Sequence, residues 1–148
     1  MPIIAVSGAS HSGKTTFINN LQNKFGKQIE FYDEIIRNYD FTSIDEIRKD
    51  ASQYFEIQKH IIEQKIIQEE KAKAKDVPDK LILFDRSLAD SMYYFTTYVD
   101  KRNLTDDERK DYNKFFVYIY KKQNNIFPTI NNQFFFLNPQ NQKTKNTP

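Results

Sequence analysis

Gly8-Ala9-Ser10-His11-Ser12-Gly13-Lys14-Thr15 holds two of the three glycines in a chain of 148 residues. Its flanks say what kind of segment it is. Pro2-Ile3-Ile4-Ala5-Val6 is a short apolar run suited to a strand buried on both faces, and Phe17, Ile18 and Leu21 follow at helical spacing. The octet is therefore a strand-to-helix turn. Its glycines let the backbone take positive φ and approach an anion closely, while the amides at the helix start point at that anion. Gly, any four residues, then Gly-Lys-Thr in this context marks a phosphate-binding loop, in which Lys14 reaches the β- and γ-phosphates and the Thr15 hydroxyl ligates Mg²⁺. An ordinary glycine turn capped by Ser10 or Ser12 is the plainer alternative, and the strand before and helix after weigh against it.

The remaining glycine, in Lys24-Phe25-Gly26-Lys27, is placed to end that helix in a left-handed conformation. Apolar residues make up only 39 % of the chain, but thirteen Phe and nine Tyr can supply a core that a count of aliphatics underestimates. A net charge of +2 from 22 basic and 20 acidic side chains does not announce a nucleic-acid or membrane partner. The absence of cysteine excludes disulfides, zinc-thiolate sites and thiol catalysis. No apolar run approaches the length of about 18 residues that a membrane span needs, and the N-terminus lacks a signal-peptide pattern, so a soluble, cytoplasmic protein is expected.

Along the chain, Gln28 to Tyr32 reads as a second strand ending at Asp33-Glu34, and Thr42 or Ser43 as the cap of a short helix. A long helix is expected from about Ala51 to Lys75. It has Tyr54, Phe55, Ile61, Ile62 and Ile66 on its buried side, and Glu63, Lys65, Glu69, Glu70 and Lys71 mostly elsewhere. His60 in that helix reads as a surface or core-edge residue rather than a metal ligand. Val77-Pro78-Asp79 breaks the helix, and Lys80 to Phe84 is the clearest strand, running into Asp85-Arg86-Ser87. Helical spacing resumes from Ala89 to Val99. Thr105 and Glu108 form a capping-box pair that opens a helix carrying an aromatic stripe of Tyr112, Phe115, Phe116, Ile119 and Tyr120. The stripe suits a core or a homodimer surface, between which periodicity does not choose. Pro128 ends that region, Gln133 to Leu137 reads as a last strand, and 138–148 is polar and aperiodic. One domain is expected over 1–137, followed by a polar tail.

Strands alternating with helices imply a parallel sheet with helices on both faces, an α/β architecture that binds ligands beyond the carboxyl ends of its strands. The octet, Asp33-Glu34 and Asp85-Arg86 all fall at such ends. Asp85 is placed to hold Mg²⁺ or polarise an acceptor hydroxyl, and Arg86, where a hydrolase would often carry glutamate, suits a phosphoryl group in transfer. The plainer reading of Asp85 and Arg86 is a surface ion pair.

Gly8 to Thr15, Glu34-Ile35-Ile36-Arg37 and Asp85-Arg86-Ser87-Leu88-Ala89-Asp90-Ser91 together resemble the small P-loop kinases of nucleosides and nucleotides: deoxynucleoside kinases, thymidylate kinase and ribosylnicotinamide kinase. The resemblance spans roughly residues 1 to 137. It implies a P-loop fold and ATP with Mg²⁺ as the bound pair. ATP would be held at Gly8, Ala9, Ser10, His11, Ser12, Gly13, Lys14, Thr15 and Thr16, and the metal at Thr15 and Asp85. It further implies transfer of the γ-phosphoryl group to a nucleoside, a nucleotide or a related acceptor. Glu34 becomes the candidate base, with Asp33 competing, Arg37 an acceptor or phosphate contact, and Arg86 a phosphate-facing group. Members of that group usually carry an arginine-bearing lid, whereas between Gln123 and Pro148 there are only Lys143 and Lys145, so the chain is expected to be shortened at its C-terminal end.

An alternative expectation is therefore an ATP-binding protein that does not transfer efficiently on its own, as a binding module or with a partner completing its site. A GTPase is weaker: Asp85-Arg86-Ser87-Leu88 lacks the switch glycine, and Asn103-Leu104-Thr105-Asp106 has leucine where guanine recognition needs lysine. Polynucleotide 5′-end phosphorylation also ranks below the first reading. Arg48-Lys49 and Lys71-Ala72-Lys73-Ala74-Lys75 lie near acids, as on solvated helix faces, and not among interleaved aromatics.

Overall fold

A computed structural model describes residues 3–9, 12–38, 44–75, 79–126 and 132–136, with the side chains at 37, 38, 44, 125, 126 and 132–136 outside the description. Ser10, His11, the Thr42 or Ser43 cap, the break at Val77-Pro78, Pro128 and the polar tail lie outside the described residues. The described chain forms two compact units, one drawn from 3–34, 79–87 and 132–136, the other from 35–75 and 88–126.

The first unit is a parallel four-stranded sheet of β1 (Ile3–Gly8), β2 (Ile29–Tyr32), β3 (Leu81–Asp85) and β4 (Asn132–Phe136), in the order β2-β3-β1-β4. The register pairs Val6 with Asp85, and Tyr32 with Phe84. Helix α1 (Lys14–Phe25) packs through Ile18, Phe17 and Leu21 on the sheet face of Val6, Leu83 and Ile29. The alternate residues Ile3, Ala5, Ile82 and Phe84 are also buried, so these strands are apolar on both faces, as parallel strands usually are. Gly26 differs from the expectation. It takes right-handed values, φ −48° and ψ −41°, because the chain continues into a tight 3-10 turn over Gly26–Gln28 instead of reversing at a left-handed cap.

The second unit contains α2 (Ile44–Lys49), α3 (Ala51–Ala74), α4 (Leu88–Tyr98) and α5 (Asp106–Ile126). Asp50 caps α3 by accepting the Gln53 amide at 3.0 Å. Thr105 and Glu108 make the expected reciprocal box at the start of α5, at 3.1 and 3.2 Å. The core joins Tyr54, Phe55, Ile62 and Ile66 of α3 to Phe95 of α4 and to Tyr112, Phe115 and Ile119 of α5. Phe95 is central, its ring stacked 4.5 Å from Tyr112 and edge-on 5.5 Å from Phe115.

Two expectations are corrected here. Phe116 and Tyr120 are exposed, 36 % and 54 %, because each lies one residue beyond a buried position and so about 100° around the helix. Lys65 and Glu69 are buried. They continue the stripe of Tyr54, Gln58, Ile61, Ile62 and Ala72 at spacings of three and four, so the phase of the helix outweighs their polarity.

Candidate nucleotide site

The turn after β1 has the backbone its glycines foretell. Gly13, the N-cap of α1, sits at φ +94°, and a Cβ added there would meet nothing within 4 Å. Glycine is required at this position by the backbone conformation and not by lack of space. Among the described residues no side chain caps α1. The Ser12 hydroxyl is buried without a hydrogen-bond partner among the described residues, and the Phe17 amide bonds the Gly13 carbonyl at 3.0 Å to start the helix. An uncapped helix start behind a left-handed glycine suits an anion, whose oxygens would meet the first amides. Thr15 and Thr16 in that first turn are exposed, and Ala9 lies at the open side of the turn.

Two ion pairs flank the turn, and the register explains both. Because Val6 lies beside Asp85, the Asp85 carboxylate falls on the α1 face next to the helix start, where it accepts a hydrogen bond from Lys14 Nζ. Both side chains are buried, Lys14 to 7 % and Asp85 to 2 % exposure. Tyr32 lies beside Phe84, so the residues two further along, Glu34 and Arg86, meet across the neighbouring strand ends. Arg86 Nε stands 2.7 Å from Glu34 Oε1, an ion pair whose N–H is not well aimed at the oxygen. Arg86 adopts φ +67°, the left-handed region that a bulky residue rarely enters, and its amide is held by the Val6 carbonyl at 2.9 Å. Asp33 is exposed and its carboxylate accepts the Glu34 amide at 2.8 Å. Arg37 lies in a 3-10 turn, Ile35–Asn38, and its side chain is outside the described residues.

The oxygens of Asp85 and Thr15 are hard donors of the kind Mg²⁺ takes. Among the described residues no three His, Cys, Asp or Glu side chains form a metal-holding group. A site with one carboxylate and one hydroxyl fits a cation bound chiefly through phosphate and water, as Mg²⁺ usually is, and not one held in an all-protein cage.

Sequence reasoning missed Glu69. Its carboxylate accepts the amide of Leu88, the first residue of α4, at 2.6 Å, while Lys65 Nζ lies 3.7 Å away. Burial pushes the Glu69 carboxyl above the usual carboxylate range, against the pull of Lys65 and of the Leu88 amide, with Asp90 adding to the rise. The signal that could have found it was the helical phase. The left-handed backbone at Arg86 had no signal in residue type.

A family model described as an AAA domain matches residues 3–126. Among solved structures, deoxyadenosine kinase from M. mycoides, determined with bound dATP, superposes with a TM-score of 0.57 and 22 % identity. The match covers 80 % of this chain and 58 % of that one. At such identity the likeness is one of fold, a parallel sheet with flanking helices. No curated protein sequence matches the chain. Among the described residues no helix is long and apolar enough to cross a membrane.

Proposed function

The chain belongs to the AAA-domain family, and from that membership we propose that it is a kinase that binds ATP at the turn 8–16 and transfers the γ-phosphoryl group to a hydroxyl of a nucleoside-like acceptor. The observation that carries this reading is the pair of adjoining ion pairs, Lys14 with Asp85 and Glu34 with Arg86, at neighbouring carboxyl ends of a parallel sheet. Phosphoryl transfer needs positioning and charge more than covalent help from the protein, and these groups are of the right kinds.

In this reading the α1 amides and Lys14 hold the phosphates. Glu34 takes the proton of the acceptor hydroxyl as its oxygen bonds to the γ-phosphorus, and the bond from that phosphorus to the bridging oxygen breaks, its electron pair leaving with ADP. Arg86 steadies the charge on the group in flight, and Arg37 contacts the acceptor. Held by Thr15 and Asp85, Mg²⁺ would neutralise phosphate charge. Glu34 is preferred to Asp33 as base because Asp33 is exposed and already bonded to the Glu34 amide, whereas Glu34 faces Arg86. A hydroxyl acceptor is chosen because a carboxylate such as Glu34 suits the removal of a hydroxyl proton. The fold likeness to deoxyadenosine kinase points to the same class of acceptor.

The test is transfer of label from γ-labelled ATP with Mg²⁺ onto nucleosides, nucleoside monophosphates, ribosylnicotinamide and 5′-hydroxyl oligonucleotides. A labelled nucleoside, lost with Lys14→Ala and reduced roughly 100-fold or more with Glu34→Gln, is the expected result. A labelled monophosphate or oligonucleotide instead would replace the acceptor class. ATP binding without any labelled acceptor would favour the second reading, a binding protein.

A further inference from the structure

A bulky residue at φ +67°, as Arg86 is, stays there only where its surroundings hold it. Two hydrogen bonds bracket it along the chain. The Arg86 amide is held by the Val6 carbonyl at 2.9 Å, and the Leu88 amide by Glu69 Oε1 at 2.6 Å. Only Ser87, fully buried, separates Arg86 from Leu88. From this we infer that Glu69 is a positioning residue for Arg86: by holding the first amide of α4 it keeps residue 86 left-handed and so sets where the guanidinium points. A return of residue 86 to negative φ would redirect the chain beyond it and carry the buried Leu88 amide away from Glu69, itself only 2 % exposed. An amide left buried without an acceptor costs at least as much as the strain that the return relieves, so the bond and the left-handed backbone stand or fall together. The use of the guanidinium in transfer rests on the kinase reading, whereas the hold on the backbone does not.

Glu69→Leu removes the acceptor at similar volume, and Lys65 keeps its hydrogen bond to Gln68 at 2.8 Å. Glu69→Gln keeps a side-chain oxygen for the Leu88 amide. The first readout needs no activity. Glycine takes φ +67° without strain and alanine does not, so with Glu69 in place Arg86→Gly should melt about 2 to 4 °C above Arg86→Ala. The gap should remain in a Glu69→Gln background, and should close or reverse in Glu69→Leu, where only the greater unfolded freedom of glycine is left to separate the two. A gap that persists in Glu69→Leu, or none with Glu69 in place, overturns the inference. Should Glu69→Leu fail to fold, Glu69→Asp replaces it, since the shorter side chain withdraws the carboxylate from the Leu88 amide, and the same outcomes apply. The second readout is phosphoryl transfer by the variants that keep Arg86. Glu69→Leu should lower kcat roughly 10-fold or more with KM for ATP within about 2-fold, and Glu69→Gln should restore kcat, because a displaced guanidinium fails the group in transfer and not the binding of ATP. An unchanged kcat in folded Glu69→Leu also overturns the inference. Absence of transfer by wild type overturns the kinase reading alone, and the melting comparison then decides the hold on the backbone.

Discussion

Replacing Arg86 by glycine and, separately, by alanine isolates the backbone at the centre of the site. Both variants lose the guanidinium and its ion pair with Glu34, so the difference between them reports only what φ +67° demands. A non-glycine residue in the left-handed region costs about 1 to 2 kcal/mol. Glycine loses about 0.4 to 1 kcal/mol of that advantage through the greater freedom of its unfolded chain. Arg86→Gly should therefore be the more stable by roughly 1 kcal/mol, the reverse of the usual order of these two residues. In a chain of 148 residues that is a melting temperature higher by about 2 to 4 °C. Urea unfolding should show a higher midpoint for the glycine variant with an unchanged slope. Both should fail in phosphoryl transfer, since neither carries a cation. If Arg86→Ala melts at or above Arg86→Gly, the conformation is not strained as described and the tie between Arg86 and the Val6 carbonyl does not hold it.

Four further outcomes follow from the second unit. Burial holds the Glu69 carboxyl above its ordinary value of 4.5, so the native state keeps a proton that the unfolded chain has released. Its contribution is complete below pH 4.5 and lost as the pH rises through the raised value; Glu69→Gln should flatten that part of the stability profile, and an unchanged slope would refute the assignment. Glu69→Ala should destabilise by about 1 to 3 kcal/mol in chemical unfolding, since it leaves the buried Leu88 amide without its acceptor, while Lys65 keeps its hydrogen bond to Gln68. Phe95→Ala should cost about 3 to 5 kcal/mol, whereas Tyr120→Ala should stay within about 0.5 kcal/mol, and near-equal losses would place Tyr120 back in the core. Thr105→Ala should lose about 1 kcal/mol by removing one half of the capping box, measured by the same unfolding curves.

Much of the fold was legible because its rules are local. The turn declares itself through Gly13, whose positive φ restricts the residue type, and Thr105 with Glu108 declares a helix start through a fixed spacing. The apolar runs Ile3 to Val6 and Leu81 to Phe84 proclaim strands buried on both sides, which is what the parallel sheet makes of them. The same local reading placed Lys65 and Glu69 mostly outside by polarity, and gathered Phe116 and Tyr120 into one stripe with the buried Tyr112, Phe115 and Ile119. Packing overruled both, since a helix turns about 100° per residue whatever the side chain is.

The sequence alone thus determined at which strand ends the candidate residues stand. It did not determine which charges meet. Lys14 finds Asp85 and Glu34 finds Arg86 because the strands assemble in the order β2-β3-β1-β4, and that order aligns Val6 with Asp85 and Tyr32 with Phe84. Register between distant strands is set by joint burial of their faces and by shared hydrogen bonds, which no single segment contains. Only the tertiary structure could decide it, and with it the buried ion pair and the strained backbone at Arg86.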